Sequence, residues 1–288
     1  MLCALLLRWN PDLSLPTDIL IWALLAGSTG LTLARQWRAG ALLLVLCLLA
    51  ALLMERLTPF ALSLVTGGLA LACGLHRLPE PYRPAARALV LIWALALMLH
   101  QIPGFDNLKV LDKVLTGPAS QPFTLYLNLD KPLALFGLLL AWRDLLGPGG
   151  KIRWRPLLLL TLPLAGLLLA AWGLGALKPE VGLPSWWWLF ALNNLLLTCA
   201  SEEALFRGCL QQRLSERFTP LAGLLVASGL FGVAHLAGGP LLVGFAALAG
   251  VCYGLAFNLS GRLSVAIAIH FLFNFAHLAL FTYPLASR

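Results

Sequence analysis

The sequence is a succession of long apolar runs separated by short polar connections. Ten such runs are visible, and each predicts one helix. Several are shorter than the ~20 residues that a helix needs to cross a bilayer, so the pattern predicts about eight to ten spans. The fold class that follows is an all-α, polytopic transmembrane helical bundle. The predicted helices lie near residues 17–35, 40–54, 59–75, 86–101, 132–146, 156–176, 186–214, 220–237, 240–259 and 263–283.

Prolines mark many of the predicted helix starts, where the missing amide donor costs nothing. These starts are at Pro59, Pro132, Pro156, Pro184, Pro220 and Pro240. Pro163 instead lies inside an apolar run, and we expect it to kink that helix.

The connection at residues 102–131 is the one long polar stretch of the chain. Its VLDKVL segment fits a short interfacial helix, and the rest is a Pro- and Gly-punctuated loop that could cover a site in the membrane. We therefore divide the chain into two parts. Residues 1–155 hold the first helices and this loop, and residues 156–288 form a C-terminal helical core.

Composition supports the membrane assignment. Hydrophobic residues make up 60% of the 288 positions and charged residues only 11%, which is too apolar for a soluble domain of this length. The net charge of +8 does not indicate nucleic-acid binding, because the basic residues lie in short clusters between apolar runs. The expected partners are the lipid bilayer and a membrane-anchored substrate.

The basic residues fall mainly in alternate loops, which predicts an orientation. The positive-inside rule makes the more basic side cytoplasmic and places both termini outside. That side holds Arg35, Arg38, Arg77, Arg83, Arg87, Lys151, Arg153, Arg155, Arg213, Arg217 and Arg262. The N-terminal MLCALLL run has no small-residue cleavage site after it, so we do not predict a signal peptide.

Three ionisable residues interrupt the apolar run at residues 186–214: Glu202, Glu203 and Arg207. A charge inside the bilayer is costly and therefore marks a partner or a function. Glu203 and Arg207 are four residues apart on one helix face and predict an ion pair. Glu202 has no basic residue three or four positions later. It needs a partner from another helix or a water to act on, which makes it the candidate general base.

Two later apolar runs carry further polar side chains. His235 ends FGVAH, and His270 begins HFLFN, which places Asn274 one turn later on the same face. Histidine and asparagine can donate hydrogen bonds to a developing oxyanion, although both also serve as polar clamps between helices. Between these runs, Gly250 and Gly254 follow the small-xxx-small pattern that allows helices to approach closely.

Sequence patterns exclude several kinds of membrane protease. The chain has no HExxH motif, its aspartates lie outside or at the edges of the apolar runs, and no GxSG-like serine precedes a membrane histidine. The six cysteines show no CxxC spacing, so we assign no disulfide or zinc knuckle. One carboxylate, two histidines and an asparagine remain. They could activate a water and stabilise an oxyanion, and Glu-His-His could also hold zinc.

Three short motifs occur in order on successive runs: EEALFR as EExxxR, FGVAH as FxxxH, and HFLFN as HxxxN. Over about residues 186–280 the chain resembles the CPBP family, which comprises the type II CAAX prenyl endopeptidases and their bacterial relatives. The resemblance implies an intramembrane endopeptidase. It also implies that Glu202 activates the water with help from His235, and that His270 and Asn274 form the oxyanion site.

The same resemblance gives Glu203 and Arg207 supporting roles and implies no obligatory metal. If zinc is bound, Glu202, His235 and His270 are the expected ligands. The expected substrate is a membrane-associated protein or peptide cut near its C-terminus, either lipidated or bearing a sorting tail. The expected location is the bacterial inner membrane.

Two other functions fit parts of the pattern. A non-catalytic immunity or scaffold factor could use the same fold, but it would not need the unpaired Glu202. A transporter or proton relay also uses buried Glu and His. Against a transporter, the ionisable groups cluster at one place and no repeat relates two halves of the chain.

Overall fold

The computed structural model describes residues 17–287, and helix forms over all ten apolar runs. The N-terminal MLCALLL run, for which we predicted no signal peptide, lies outside the described residues. Between residue 17 and the middle of the chain there are five α-helices: α1 (Ile19–Leu33), α2 (Trp37–Leu53), α3 (Pro59–Gly74), α4 (Arg83–Met98) and α5 (Asp130–Ala141).

The second half contains the helices α6 (Trp154–Leu159), α7 (Thr161–Gly173), α8 (residues 187–217), α9 (Pro220–Val233), α10 (Pro240–Ser260) and α11 (Leu263–Leu280). Helices α6 and α7 together cover one apolar run and are separated at Leu160. The break fits the predicted effect of Pro163, whose ring removes a backbone donor and crowds the turn before it. Pro59, Pro220 and Pro240 are each the first residue of their helix.

Helix α8 is long and irregular. Its α-helical parts are Trp187–Leu192, Ala200–Glu203 and Gln212–Arg217. Two π-helical segments, Asn193–Cys199 and Ala204–Gln211, lie between them. π-Helical turns are rare and occur most often at functional sites. Glu202 and Glu203 therefore lie on a single α-helical turn, with a π-helical segment on each side.

The prediction of an interfacial helix in VLDKVL is wrong. All but the last of these residues belong to β1 (Leu108–Val114), which pairs antiparallel with β2 (Phe123–Leu127) in a two-stranded hairpin. The β-branched valines and the facing aromatic and threonine side chains suit a pleated pair of strands. The polar connection thus contains a β-hairpin, and its last two residues, Asp130 and Lys131, begin α5.

The helix ends form two groups. At one end Arg213 pairs with Asp144, and the backbone of Gly149 donates to Gly261 O at 2.8 Å. This end carries basic loops and we call it the basic end. At the other, the hairpin end, Arg56 bridges Asp18 and Asp106 at 2.5 Å each. The hairpin also contacts the C-terminal segment, because Gln121 N donates to Leu285 O.

Among the residues that the structure describes, four helical stretches are long and apolar enough to cross a membrane: Pro59–Arg77, Trp154–Gly173, Pro240–Ser260 and Leu263–Leu280. Large apolar side chains such as Leu42, Leu162 and Leu248 are more than half exposed on the outside of the bundle, as expected for a protein whose solvent is lipid. The predicted helical membrane bundle is confirmed. The count of eight to ten spans and the orientation stay predictions.

Candidate active site

The two adjacent carboxylates of α8 both point into the protein. The side chain of Glu203 is fully buried, and Glu202 is 8% exposed. Buried carboxylates need charged or hydrogen-bonding partners, because desolvation is costly. Each of the two finds a different set of partners.

Glu203 lies between a cation and a histidine. Its Oε2 is 3.2 Å from Arg207 Nε, and its Oε1 is 2.8 Å from His270 Nδ1. Arg207 is also fully buried and donates from Nη2 to Gly250 O at 2.7 Å. The guanidinium lies 4.7 Å from the centroid of the Phe231 ring, within the range of a cation–π interaction. The contact between Glu203 Oε2 and Arg207 Nε has the distance of an ion pair but not the geometry of a hydrogen bond.

His270 connects the two carboxylates. Its Nδ1 faces Glu203, and its Nε2 lies 3.9 Å from Glu202 Oε2. The imidazole stacks on Tyr253 of α10, with centroids 4.4 Å apart and planes at 15°. The edge of Phe231 packs on it at 5.6 Å. A carboxylate at Nδ1 and a ring on one face fix both the tautomer and the orientation of the imidazole.

The partner of Glu202 is Lys131, which sequence analysis missed. Lys131 Nζ donates to Glu202 Oε1 at 2.5 Å, and both side chains are largely buried. The sequence pattern places Lys131 at the end of the polar loop and predicts only that Glu202 needs a partner from another helix or a water. One signal was present: Asp130 and Lys131 directly precede an apolar run, so a cation stood at a helix start.

Asn274 lies one turn after His270 but is held by other residues. Its Nδ2 donates to Asn194 Oδ1 at 3.2 Å and lies 3.8 Å from Cys199 Sγ. Cys199 Sγ in turn donates to Asn194 Oδ1 at 3.2 Å. Asn194 and Cys199 are five residues apart, and a π-helical turn places residues with this spacing above one another on the same face. This polar cluster clamps α8 to α11 beside the carboxylates.

His235 lies at the rim of the site. It follows α9, is half-buried, and its Nδ1 is 2.8 Å from Phe231 O. The imidazole packs on the Phe231 ring, with centroids 4.6 Å apart. His235 therefore shares the ring of Phe231 with His270 and Arg207, and its Nε2 makes no hydrogen bond within residues 17–287.

The glycines of α10 allow the polar side chains of α8 to reach a backbone. Gly250 O accepts from Arg207, and Gly254 O accepts from Gln211 Nε2 at 3.0 Å. A Cβ at Gly254 would lie 2.4 Å from Leu224 and 2.5 Å from Gln211 Oε1. A side chain there would displace both neighbours. The small-xxx-small pattern thus brings backbone acceptors to buried donors, in addition to allowing close packing.

The residues do not form a ready metal site. In the part of the chain that the structure describes, no three His, Cys, Asp or Glu side chains are placed to hold a metal ion. Glu202, one of the three residues expected to bind zinc, already accepts a hydrogen bond from Lys131 on one carboxylate oxygen. His235, another of the three, lies at the rim of the site.

Comparison with known families identifies the region that contains this site. Residues 184–276 match the family model described as Rce1-like, type II CAAX prenyl endopeptidase. The match includes Glu202, His235, His270 and Asn274, lies within the predicted C-terminal core, and leaves the first half of the chain unmatched. No curated protein and no solved structure gives a match.

Proposed function

We propose that the protein is an intramembrane endopeptidase, because residues 184–276 match the Rce1-like, type II CAAX prenyl endopeptidase family model. It hydrolyses a peptide bond near the C-terminus of a membrane-associated protein or peptide. The observation that carries this proposal is the buried set of Glu202, His270 and Glu203. Glu202 provides a base, and Glu203 orients the imidazole of His270. The gap between Glu202 and His270 is wide enough for one bridging water.

The distance between Glu202 Oε2 and His270 Nε2 suits a shared water. At 3.9 Å the two atoms are too far apart for a direct hydrogen bond, but two bonds of about 2.8 Å meeting near a right angle span this gap. Because Glu203 accepts from Nδ1, neutral His270 presents an unprotonated Nε2 to the water. Both carboxylate and imidazole can therefore accept a hydrogen bond from it.

In the proposed reaction, Glu202 takes a proton from this water while the water oxygen attacks the carbonyl carbon of the substrate. The tetrahedral intermediate collapses when the carbon–nitrogen bond breaks, and Glu202 returns the proton to the leaving amine. His270 Nε2 takes the second proton of the water as its oxygen attacks, and the protonated imidazole stabilises the oxyanion together with Asn274. For this role the Asn274 amide has to turn partly away from Asn194. The second proton also passes to the leaving amine, which departs as ammonium, and the new C-terminus leaves as a carboxylate. His235, with its unused Nε2 at the rim, assists the water or the incoming carbonyl.

We assign Lys131 as a positioning residue that holds Glu202 ionised and turned toward His270. Its test is Lys131→Met, which keeps the length of the side chain and removes the charge. We expect kcat to fall about 10- to 100-fold, equivalent to about 1.4–2.7 kcal/mol of transition-state stabilisation. KM should change much less. Lys131→Arg should restore part of kcat, and Lys178→Met, at a mostly exposed position, serves as control.

The outcome that would contradict this assignment is equal activity of Lys131→Met and Lys131→Arg. A purely structural role would lower the amount of folded protein for both variants and leave kcat of the folded fraction unchanged.

The proposed mechanism requires no metal. We therefore expect that dialysis against EDTA and 1,10-phenanthroline leaves the cleavage rate unchanged, because the base and the imidazole act directly on the water. The measurement compares rates before and after chelation, together with the metal content of the protein by mass spectrometry. Loss of activity on chelation and its return with added zinc would show that zinc is part of the site.

The proposed substrate is a lipidated tail or a hydrophobic sorting tail, presented from a bacterial inner membrane with the basic end of the protein in the cytoplasm. The experiment uses purified protein in nanodiscs and a panel of three fluorescent peptides. One is farnesylated at a CaaX cysteine, one is palmitoylated, and one is a transmembrane helix with a polar C-terminal tail. We expect cleavage of at least one peptide, and no cleavage by Glu202→Ala or His270→Ala. Cleavage that survives both substitutions would overturn the assigned site.

A further inference from the structure

An open polar cavity of about 600 Å³ lies at the hairpin end of the protein. Three sequence-distant segments form it: the turn between α4 and β1, the end of β2, and the first turn of the π-helical part of α8. Its polar lining consists of His100, Asn107, Tyr126, Asn128 and Asn193. We call this cavity the amide cleft.

Asn193 is the most informative residue of the amide cleft. It is 9% exposed, yet its carboxamide makes no hydrogen bond to any residue in the range 17–287. Its neighbour Asn194 is equally buried but is used by Asn274 and Cys199. The nitrogen and oxygen atoms of the Asn193 carboxamide stay accessible from the cleft, so they can bind a ligand or solvent there. Asn128, which is half-buried, also makes no side-chain hydrogen bond in the described chain.

The wall opposite Asn193 is rigid. Asp130 is 2% exposed and accepts from Asn107 Nδ2 at 3.3 Å, while His100 Nδ1 lies 2.6 Å from Asp130 Oδ2. Asn107 Oδ1 accepts from the backbone of Leu129 at 2.7 Å. Asp130 directly precedes Lys131, whose Nζ donates to Glu202. The lining of the amide cleft is therefore connected to Glu202 through the hydrogen bonds of Asp130 and Lys131.

The chemistry of the lining selects the class of ligand. No Lys or Arg lines the amide cleft, and His100 is already paired with the buried Asp130 behind the lining, so an anionic headgroup finds no free cation. Phe105 and Leu125 are its apolar residues, too few to enclose a lipid chain. Carboxamides both donate and accept, which matches the alternating N–H and C=O groups of an extended polypeptide.

We infer that the amide cleft binds the backbone of an extended substrate segment next to the scissile bond. This inference rests on the proposed peptidase function. Asn193 and Glu202 are nine residues apart along α8, which is at most about 13.5 Å at the α-helical rise of 1.5 Å per residue, since the π-helical part rises less. An extended chain covers about 3.3 Å per residue, so the segment in the cleft lies about four residues from the cleaved bond. With such a cleft, the choice of substrate would depend on an accessible extended backbone. It would also depend on the number of residues between the membrane anchor and the cleaved bond.

The first test measures binding without turnover. A photoreactive p-benzoylphenylalanine replaces Tyr126 in the cleft, in a protein that also carries Glu202→Gln, and the three fluorescent peptides serve as probes. The control places the same group at Tyr82, which is 65% exposed and lies toward the basic end. We expect crosslinks at position 126 that are several times stronger than at position 82, and weaker when Asn193→Leu is added.

The second test measures kinetics. Asn193→Leu should raise KM about two- to tenfold, the loss expected for one hydrogen bond, with little change in kcat. Gln36→Leu is the matched control, because Gln36 is exposed at the basic end and its carboxamide makes no hydrogen bond within residues 17–287. Methylation of one backbone amide of the peptide, about four residues from the cut, should raise KM in the unmodified enzyme but not in Asn193→Leu.

The outcomes separate the two proposals. Crosslinks at position 126 without any cleavage by the unmodified enzyme would support the cleft and refute the peptidase function. Cleavage that depends on Glu202, together with equal crosslinking at positions 126 and 82, would refute the cleft and leave the peptidase function standing. Absence of both would refute both.

Discussion

Glu202→Gln will lower the rate of peptide cleavage by about a hundred- to ten-thousandfold, the contribution of a positioned general base. Glutamine keeps the size of the side chain and an oxygen that can accept from Lys131, but it cannot take a proton from water. We therefore expect the loss in kcat rather than in KM, and a thermal midpoint close to that of the unmodified protein. Single-turnover cleavage and thermal unfolding in the same nanodiscs measure both quantities.

The matched control for this substitution is Glu216→Gln. Glu216 lies on the same helix, pairs with Arg213 at 2.8 Å, and its side chain is 53% exposed. The substitution Glu216→Gln makes the same change of charge at a position outside the site. If Glu202→Gln retains activity close to that of Glu216→Gln, the carboxylate of Glu202 is not the base.

Arg207→Met will destabilise the protein by about 3–5 kcal/mol, because it leaves the fully buried carboxylate of Glu203 without its cation. It also removes the hydrogen bond to Gly250 O and the contact with the Phe231 ring. The double variant Glu203→Gln/Arg207→Met should be less destabilised than the sum of the single variants, since no uncompensated charge remains. Reversible unfolding in detergent gives the four free energies of this double-mutant cycle.

Arg213→Met is the matched control for the cycle. Arg213 pairs with Asp144 and Glu216, but its side chain is 34% exposed, so its loss should cost less than about 1 kcal/mol. Strict additivity of Glu203→Gln and Arg207→Met would mean that the two residues are not coupled. The pair would then be packing partners only.

Much of the fold follows from the sequence because the bilayer restricts the choices. Each apolar run becomes a helix, since only a helix satisfies its own backbone hydrogen bonds in lipid. The three motifs were also predicted to lie on neighbouring helices, and the family match at residues 184–276 confirms that resemblance. The hairpin was missed because VLDKVL is short, and a short apolar segment fits helix and strand equally well.

The partners within the site were harder to predict, because they depend on tertiary contacts. Lys131 is 71 positions from Glu202, and Asn274 is 80 from Asn194. The pair Glu203–Arg207 was predicted because it is local. The second role of Glu203, orienting His270, was not, since it requires α11 to cross α8 at that turn. The π-helical segments also escaped prediction, because nothing in their composition distinguishes them from ordinary apolar helix.

The central claim is that Glu202 activates a water that attacks the peptide carbonyl directly. Cleavage of a panel peptide in H₂¹⁸O under single-turnover conditions tests it, with mass spectrometry of both the product and the enzyme. We predict ¹⁸O in the new C-terminal carboxylate of the product, none in the Glu202 side chain, and no product from Glu202→Gln. Label in the Glu202 carboxylate would instead indicate a covalent acyl intermediate, and labelled product from Glu202→Gln would show that another group activates the water.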